Sequence, residues 1–390
     1  SSILPLFALR RNEPAMTHPT PITAWPSEDQ LAHAVTGVLE AEEAPGAIVR
    51  LSAPGLDPWI GTFGVANRET GTPMQADMRG RIGSITKTMV ATLILQLVDA
   101  GALDLDGTLA TILPAAADLP NAETITLRNL LSMRSGLFNY TQQPGVFDTI
   151  IDQPDRVWTP QELIAVAAGK PANFAPGTEF EYSNTNYILL GEIVGHLTGQ
   201  PVEEVFRERL VDPLGLTATT WPRDSGLPAP FADGYARVPL DEAPKLDAPP
   251  DGPTKIVPAT IVDASAGGAA GAVISTVEDM DHWIDCLIEG RVLDPATSRA
   301  QLDVLPILKP DGEPSGMGYG LGIADFAGIV GHNGGIPGFQ SFAGRIMALG
   351  VNVSVIVNID MGADGKQPAD AIAYALRALL AESVAPKAAS

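Results

Sequence analysis

A single cysteine, Cys286, stands in 390 residues, so no intrachain disulfide framework can be built. Its apolar neighbourhood, residues 280–288, marks it as a packed helix residue. Basic residues are also scarce. Only 24 Lys and Arg face 46 Asp and Glu, a formal charge of −22, so nucleic acid would be repelled and is not expected as a partner. After Met16 no run of eighteen apolar residues occurs, and no membrane span is expected. Internal repeats and low-complexity tracts are missing, and 45% apolar with 18% charged residues excludes a disordered chain. A secretory leader is not evident either, because arginines follow the apolar residues 3–9 where a leader has them first. Residues 1–16 are therefore expected to be an extension ahead of a natural start at Met16, with a cytoplasmic location, export being the alternative.

Against these absences, three short motifs carry chemistry. In Ser84-Ile85-Thr86-Lys87 a serine lies three residues before a lysine at the head of an apolar segment, so on a helix both side chains share one face. That spacing pairs a nucleophile with an activator, provided burial lowers the lysine from its solvated value of ~10.4. Tyr182-Ser183-Asn184 supplies a phenol and an amide. His332-Asn333-Gly334 places a titratable ring beside a glycine that admits a substrate to the backbone. Each pattern is unique in the chain: no other lysine has a serine three positions earlier, no other tyrosine an asparagine two positions later, and no other Lys or His a glycine two positions on.

In this order the motifs resemble those of the serine β-lactamase and penicillin-binding-protein clan. They are most similar to the branch of class C β-lactamases, D-Ala-D-Ala carboxypeptidases, esterases and D-aminopeptidases. Residues 125–136, Pro176-Gly177 and Ala266-Gly267-Gly268 fit the same branch. The resemblance, spanning residues 47–380, implies an α/β (α+β) fold with an antiparallel sheet flanked by helices plus an all-helical lobe. It divides the chain into a discontinuous α/β domain, residues 17–108 and 262–390, and a helical lobe, residues 109–261.

The resemblance further implies a metal-free, cofactor-free acyl transfer through an ester on Ser84. Lys87 and Tyr182 would share the proton, Asn184 would bond Lys87 and the substrate amide, and the backbone N–H groups of Ser84 and Gly335 would hold the oxyanion. His332 would face Tyr182, passing protons or supplying positive charge, with an acid limb near ~6.5 in the rate profile. Asn333, Gly334, Asn139 and Tyr140 are candidate substrate contacts. Where carboxypeptidases of the branch carry threonines that bind a terminal carboxylate, this chain has Asn333 and Gly335, which weakens carboxylate recognition and raises an amidase and an esterase alike. The expected reaction is hydrolysis of an amide or peptide bond of a small peptide-like substrate, of D,D-peptidase or amidase type. Carboxylester hydrolysis, β-lactam hydrolysis and a penicillin sensor without turnover are the alternatives.

Hydropathy periodicity adds the elements. Strands are expected at residues 47–51, 59–65, 319–324, 338–347 and 351–359. Helices are expected at 84–99, 126–133, 159–168, 185–197, 202–210, 276–288 and 368–381. The Pro- and Asp-rich residues 222–258 read as an excursion over the surface.

Overall fold

The computed structural model describes residues 20–240, 252–309 and 311–384. The expected N-terminal extension and residues 241–251 of the expected excursion lie outside the described residues.

Alternating and β-branched runs make one nine-stranded sheet. Its strands are β1 (Gly46–Ser52), β2 (Trp59–Asn67), β3 (Thr72–Pro73), β4 (Leu305–Leu308), β5 (Pro314–Tyr319), β6 (Ala324–Phe326), β7 (Ile329–Ile336), β8 (Phe339–Ile346) and β9 (Val351–Val357). The order is β3-β2-β1-β9-β8-β7-β6-β5-β4, with every neighbouring pair antiparallel. The two ends of the chain meet in the middle of the sheet, where Ala47 pairs with Val357 and Leu51 with Val353. Every residue of β8 and β9 is buried, which demands cover on both faces. Helix α1 (Glu28–Ala41) packs with the C-terminal helix α5 (Pro368–Val384), which lies on β8 and β9, while α4 (Val277–Ile288) lies on β1, β8 and β9.

Helix α2 (Thr86–Asp99) is buried from Thr86 through Leu97, as its nearly unbroken apolar sequence requires. Helix α3 (Asn184–Thr198) packs on α2. Elsewhere the helix starts follow local chemistry. Thr159 and Glu162 form a capping box at Pro160–Ala168, Thr126 and Asn129 another at Leu127–Leu131, and Thr276 caps α4.

Two expectations are corrected. Residues 319–324 are not one strand: Tyr319 ends β5, Ala324 opens β6, and residues 320–323 form the turn between them. Gly322 adopts φ +76° there, where a Cβ would lie 2.3 Å from the Ala91 Cβ. The tight packing of this turn on α2 takes precedence over the strand-like pattern. Residues 222–258 are not featureless surface chain, since Tyr235–Pro239 pairs with Thr254–Pro258 as an antiparallel ribbon. Its Arg237 is buried and donates to the Glu42 and Met361 carbonyls. Among the described residues no helix is long and apolar enough to cross a membrane.

Candidate active site

The serine of the first motif sits on a single 3-10 turn, Gly83–Ile85, that runs directly into α2. Gly83 makes this turn possible. Its φ of +48° is a left-handed conformation, and a Cβ there would stand 2.8 Å from the Gly335 nitrogen. The turn is tied to both neighbours. Ser341 Oγ donates to the Ile82 carbonyl at 2.8 Å, and Val273 N donates to Thr86 Oγ1 at 3.2 Å. Ser84 itself is half-buried, so its hydroxyl is held on a rigid base yet open to a substrate.

One helical turn on, Lys87 is wholly buried, and its Nζ donates to Ser84 Oγ and to the Ala270 carbonyl, both at 2.7 Å. The desolvation that the first motif demanded is therefore present. The glycine-rich stretch Ala266-Gly267-Gly268 has a structural use here, because it shapes the short turn Gly268–Ala270 that carries the Ala270 carbonyl to the lysine. The Lys87 Nζ also lies 4.9 Å from the centre of the Tyr182 ring and 5.6 Å from that of Tyr187.

The second motif is placed by the segment that precedes it in space, residues 133–141. Ser183 N donates to the Met133 sulfur, Ser135 Oγ to Asn186 Oδ1, and Thr185 Oγ1 to the Phe138 carbonyl. Asn139, a candidate substrate contact, is buried. Its Oδ1 accepts from Asn184 N at 3.1 Å, satisfying one of the N–H groups left open at the start of α3. Asn184 donates through Nδ2 to Thr141 Oγ1 at 3.3 Å. Tyr140 does not line the cleft as expected. It is buried, and its hydroxyl donates to the Ala266 carbonyl, making it a core residue of this wall.

The third motif lies on β7, and His332 stands where the resemblance puts it, with its ring centre 6.2 Å from that of Tyr182. Its hydrogen bonds define its state. Nδ1 lies 2.6 Å from the Asn333 carbonyl, which can only accept, so the proton is on Nδ1. Nε2 is then an acceptor, and the Tyr319 hydroxyl donates to it at 3.1 Å. Burial, followed by the positive charge of Lys87, lowers His332 to about 3, against a smaller opposing effect of the Asn333 carbonyl. Burial therefore favours the neutral ring, which speaks for the proton-passing role of His332 over the one that has it supply positive charge.

Beyond His332, a Cβ on Gly334 would meet the Ile82 carbonyl at 2.1 Å, so this glycine serves the close approach of β7 to the serine turn. Gly335 is exposed. Ile336 and Phe339 flank a two-residue connection to β8, so the hydrogen-bonded pairs fall at Ile336 and Gly334 and the N–H of Gly335 points away from β8, toward the serine turn. Asn333 turns to the other face of the strand, donating to Gln367 Oε1 at 2.8 Å and Asp370 Oδ2 at 2.9 Å.

Sequence reasoning did not find Tyr319, Tyr187, Ala270 or the Gln367 and Asp370 pair. A backbone carbonyl carries no residue signature, Tyr319 belongs to no short motif, and Tyr187, though in the stretch that follows the second motif, had no role assigned to it. Only the last helix, from Pro368, was visible in advance.

The model of the family described as Beta-lactamase matches residues 31–377. Penicillin-binding protein 4 of Amycolatopsis lactamdurans is 29% identical over 316 residues, covering 76% of each chain. Esterase EstB of Burkholderia gladioli is 28% identical over 331 residues, covering 76% of this chain and 81% of its own. Among solved structures, a D-stereospecific amidohydrolase from Streptomyces sp. superposes with a TM-score of 0.76 at 30% identity, over 90% of this chain and 98% of its own. With the fold, the order of the motifs and the buried serine–lysine pair in agreement, the chain belongs to the Beta-lactamase family of serine hydrolases.

Proposed function

We propose that the chain hydrolyses an amide bond of a small, peptide-like substrate through an acyl ester on Ser84. The observation that carries this reading is the fully buried Lys87 with its Nζ 2.7 Å from Ser84 Oγ. Ser84 Oγ attacks the carbonyl carbon, and its proton passes to the Lys87 and Tyr182 pair, which titrates as a unit. The oxyanion is held by the N–H groups of Ser84, on the serine turn, and Gly335, on β7, two preorganised donors. When the tetrahedral adduct collapses, the C–N bond breaks and the same pair returns the proton to the departing amine. A water molecule then adds to the acyl ester, giving up its proton to the pair, and the acid leaves as Ser84 recovers its hydrogen. Neutral His332, fixed by Tyr319, backs the Tyr182 ring and orients it.

Carboxylic esters are the second substrate class. The same machinery cleaves them, and the hydrogens of the Asn333 amide, spent on Gln367 and Asp370, offer a substrate carboxylate no clamp. The relatives' names, an amidohydrolase and an esterase, fit both classes.

Ser84→Ala tests the reading. Loss of kcat by at least about a thousandfold is expected, because the covalent route disappears with the nucleophile. Intact mass after brief exposure to a slowly deacylating ester or to benzylpenicillin should show an adduct on the wild type and none on the variant. Turnover by Ser84→Ala within tenfold of wild type would reject the mechanism.

A further inference from the structure

The N–H of Gly335 is only as well placed as the turn that follows it, residues 337–338 between β7 and β8. Gly338 is left-handed there, with φ +91°, and a Cβ on it would lie 2.6 Å from the Ala259 carbonyl oxygen, so the turn presses on what lies beneath it. Beneath it lies Asp360, just past the end of β9. Asp360 Oδ1 accepts from Arg237 N of the ribbon at 2.9 Å, and the carboxylate also faces the N–H of Gly338 and that of its own residue. Tyr235 N donates to the Gly338 carbonyl at 3.2 Å and Asp360 N to the Tyr235 carbonyl at 3.1 Å, which links turn, ribbon and strand end. Gln340, paired with Gly335 across the ladder, donates through Nε2 to the Asp360 carbonyl at 2.7 Å. Asp360 thus holds the turn from both sides.

The bond set suits an anion. Ionised, the carboxylate accepts from every N–H that faces it; protonated, it turns one oxygen into a donor and loses the charge that strengthens the bonds. We propose that Asp360 is a positioning residue for the oxyanion hole: its carboxylate holds the β7–β8 turn, and with it the N–H of Gly335, in place beside Ser84, and its protonation slackens the turn. The inference rests on the serine-hydrolase reading and adds to it a support that a proton controls. Burial raises Asp360 to about 7, opposed by the N–H groups of Arg237, Gly338 and Asp360 and then by the Arg237 charge. The Arg237 guanidinium is itself bonded to Glu43 and to the Glu42 and Met361 carbonyls. Nearby, Glu42, Asp364 and Lys366 act on one another, and Asp233 is bonded by Asn67 and Thr260. Residues 336–340, which face Asp360 from β7, the turn and β8, are uncharged. The folded chain takes up the Asp360 proton near 7 and the unfolded chain only near 3.8, so the stability from this residue is full below 3.8 and is lost as pH rises through 7. The carboxylate therefore works against stability at the pH where it supports the turn, as groups tuned for function do.

The test is the pH profile of kcat/KM for p-nitrophenyl acetate from about pH 5 to 9, with the rate of Ser84→Ala subtracted. The wild type should show an acid limb with its midpoint near 7. In Asp360→Asn, which cannot ionise, that limb should vanish. The position of a limb does not depend on the active fraction of a preparation, so a partly folded variant still answers. A second measurement needs no variant at all. Amide exchange at Arg237 and Gly338 of the wild type, corrected for its intrinsic pH dependence, should be at least about threefold faster at pH 6 than at pH 8. A wild type without the limb, a limb that keeps its place in Asp360→Asn, or equal protection at the two pH values overturns the role. Absence of Ser84-dependent turnover at every pH would instead overturn the hydrolase reading, and the positioning role with it.

Discussion

His332 shows how surroundings determine what a side chain can do. Its folded value of about 3 lies below the ordinary ~6.5, because burial and the Lys87 charge both oppose a second proton. The unfolded chain takes up that proton as pH falls through 6.5, while the folded chain refuses it until near 3. The stability His332 confers is therefore complete above about 6.5 and is lost progressively as pH drops toward 3. Between pH 7 and 4.5 the wild type should lose roughly 3 kcal/mol through this residue alone. In His332→Gln that loss should be absent, so urea midpoints of variant and wild type converge as the solution is acidified. An acid limb of kcat/KM near neutrality, where one is found, should stay in place in the variant even if the rate falls. A limb that moves with His332→Gln would show that the ring is charged in the working enzyme. Ser84, Lys87, Tyr182 and His332 were legible because each sits in a spacing that occurs once. The tautomer of His332 was not, since its partner Tyr319 lies on another strand and belongs to no motif.

The contact between the serine turn and β7 depends on glycine at one position more than at its neighbour across the gap. At Gly83 a Cβ would meet the Gly335 nitrogen at 2.8 Å and its carbonyl oxygen at 3.0 Å, and the backbone is left-handed besides. Neither backbone can yield without parting Ser84 from Gly335. Gly83→Ala should cost about 2–4 kcal/mol and at least tenfold in kcat/KM. Gly335→Ala is the contrast, because the nearest atom to its Cβ is the end of the Gln340 side chain at 3.5 Å. Its stability should stay within about 0.5 kcal/mol of wild type, so any loss of activity there reports on the substrate. Thermal unfolding of the two variants separates the cases, and equal destabilisation would refute this account of the contact. Helix starts such as Thr159-Pro160-Gln161-Glu162 could be read in advance because capping is local chemistry. The turn at residues 320–323 misled because its glycine answers to Ala91 on a different element, and no window along the chain contains both.

At the scale of the molecule, the ends of the chain close the sheet, and this has a consequence for folding. β1 lies between β2 and β9, so half of its ladder waits for residues 351–357. β8 likewise lies between β7 and β9, and α5 buries Ile372, Leu376 and Leu380 against the same strands. Local periodicity and turn residues made most strands and helices visible, together with the neighbours joined by short turns, β1 with β2 and β8 with β9; the pairing of the two ends came only from the family resemblance. Contacts this distant carry a large loop-closure cost before they stabilise anything, which makes folding slow and leaves apolar edges open meanwhile. A chain ending at residue 350 would retain the serine, lysine, tyrosine and histidine of all three motifs. It would also leave the inner edges of β1 and β8 unpaired, exposing the otherwise buried Ala47, Ile48, Val49 and Leu51 of the one and Phe339, Phe342, Ala343 and Ile346 of the other. Such a fragment should be inactive and aggregate, with no protection of the amides of residues 46–52 against hydrogen exchange. Adding residues 351–384 as a separate peptide should restore part of the Ser84-dependent turnover. A truncated chain that stays monomeric and protects β1 would mean that the sheet closes without its last strand.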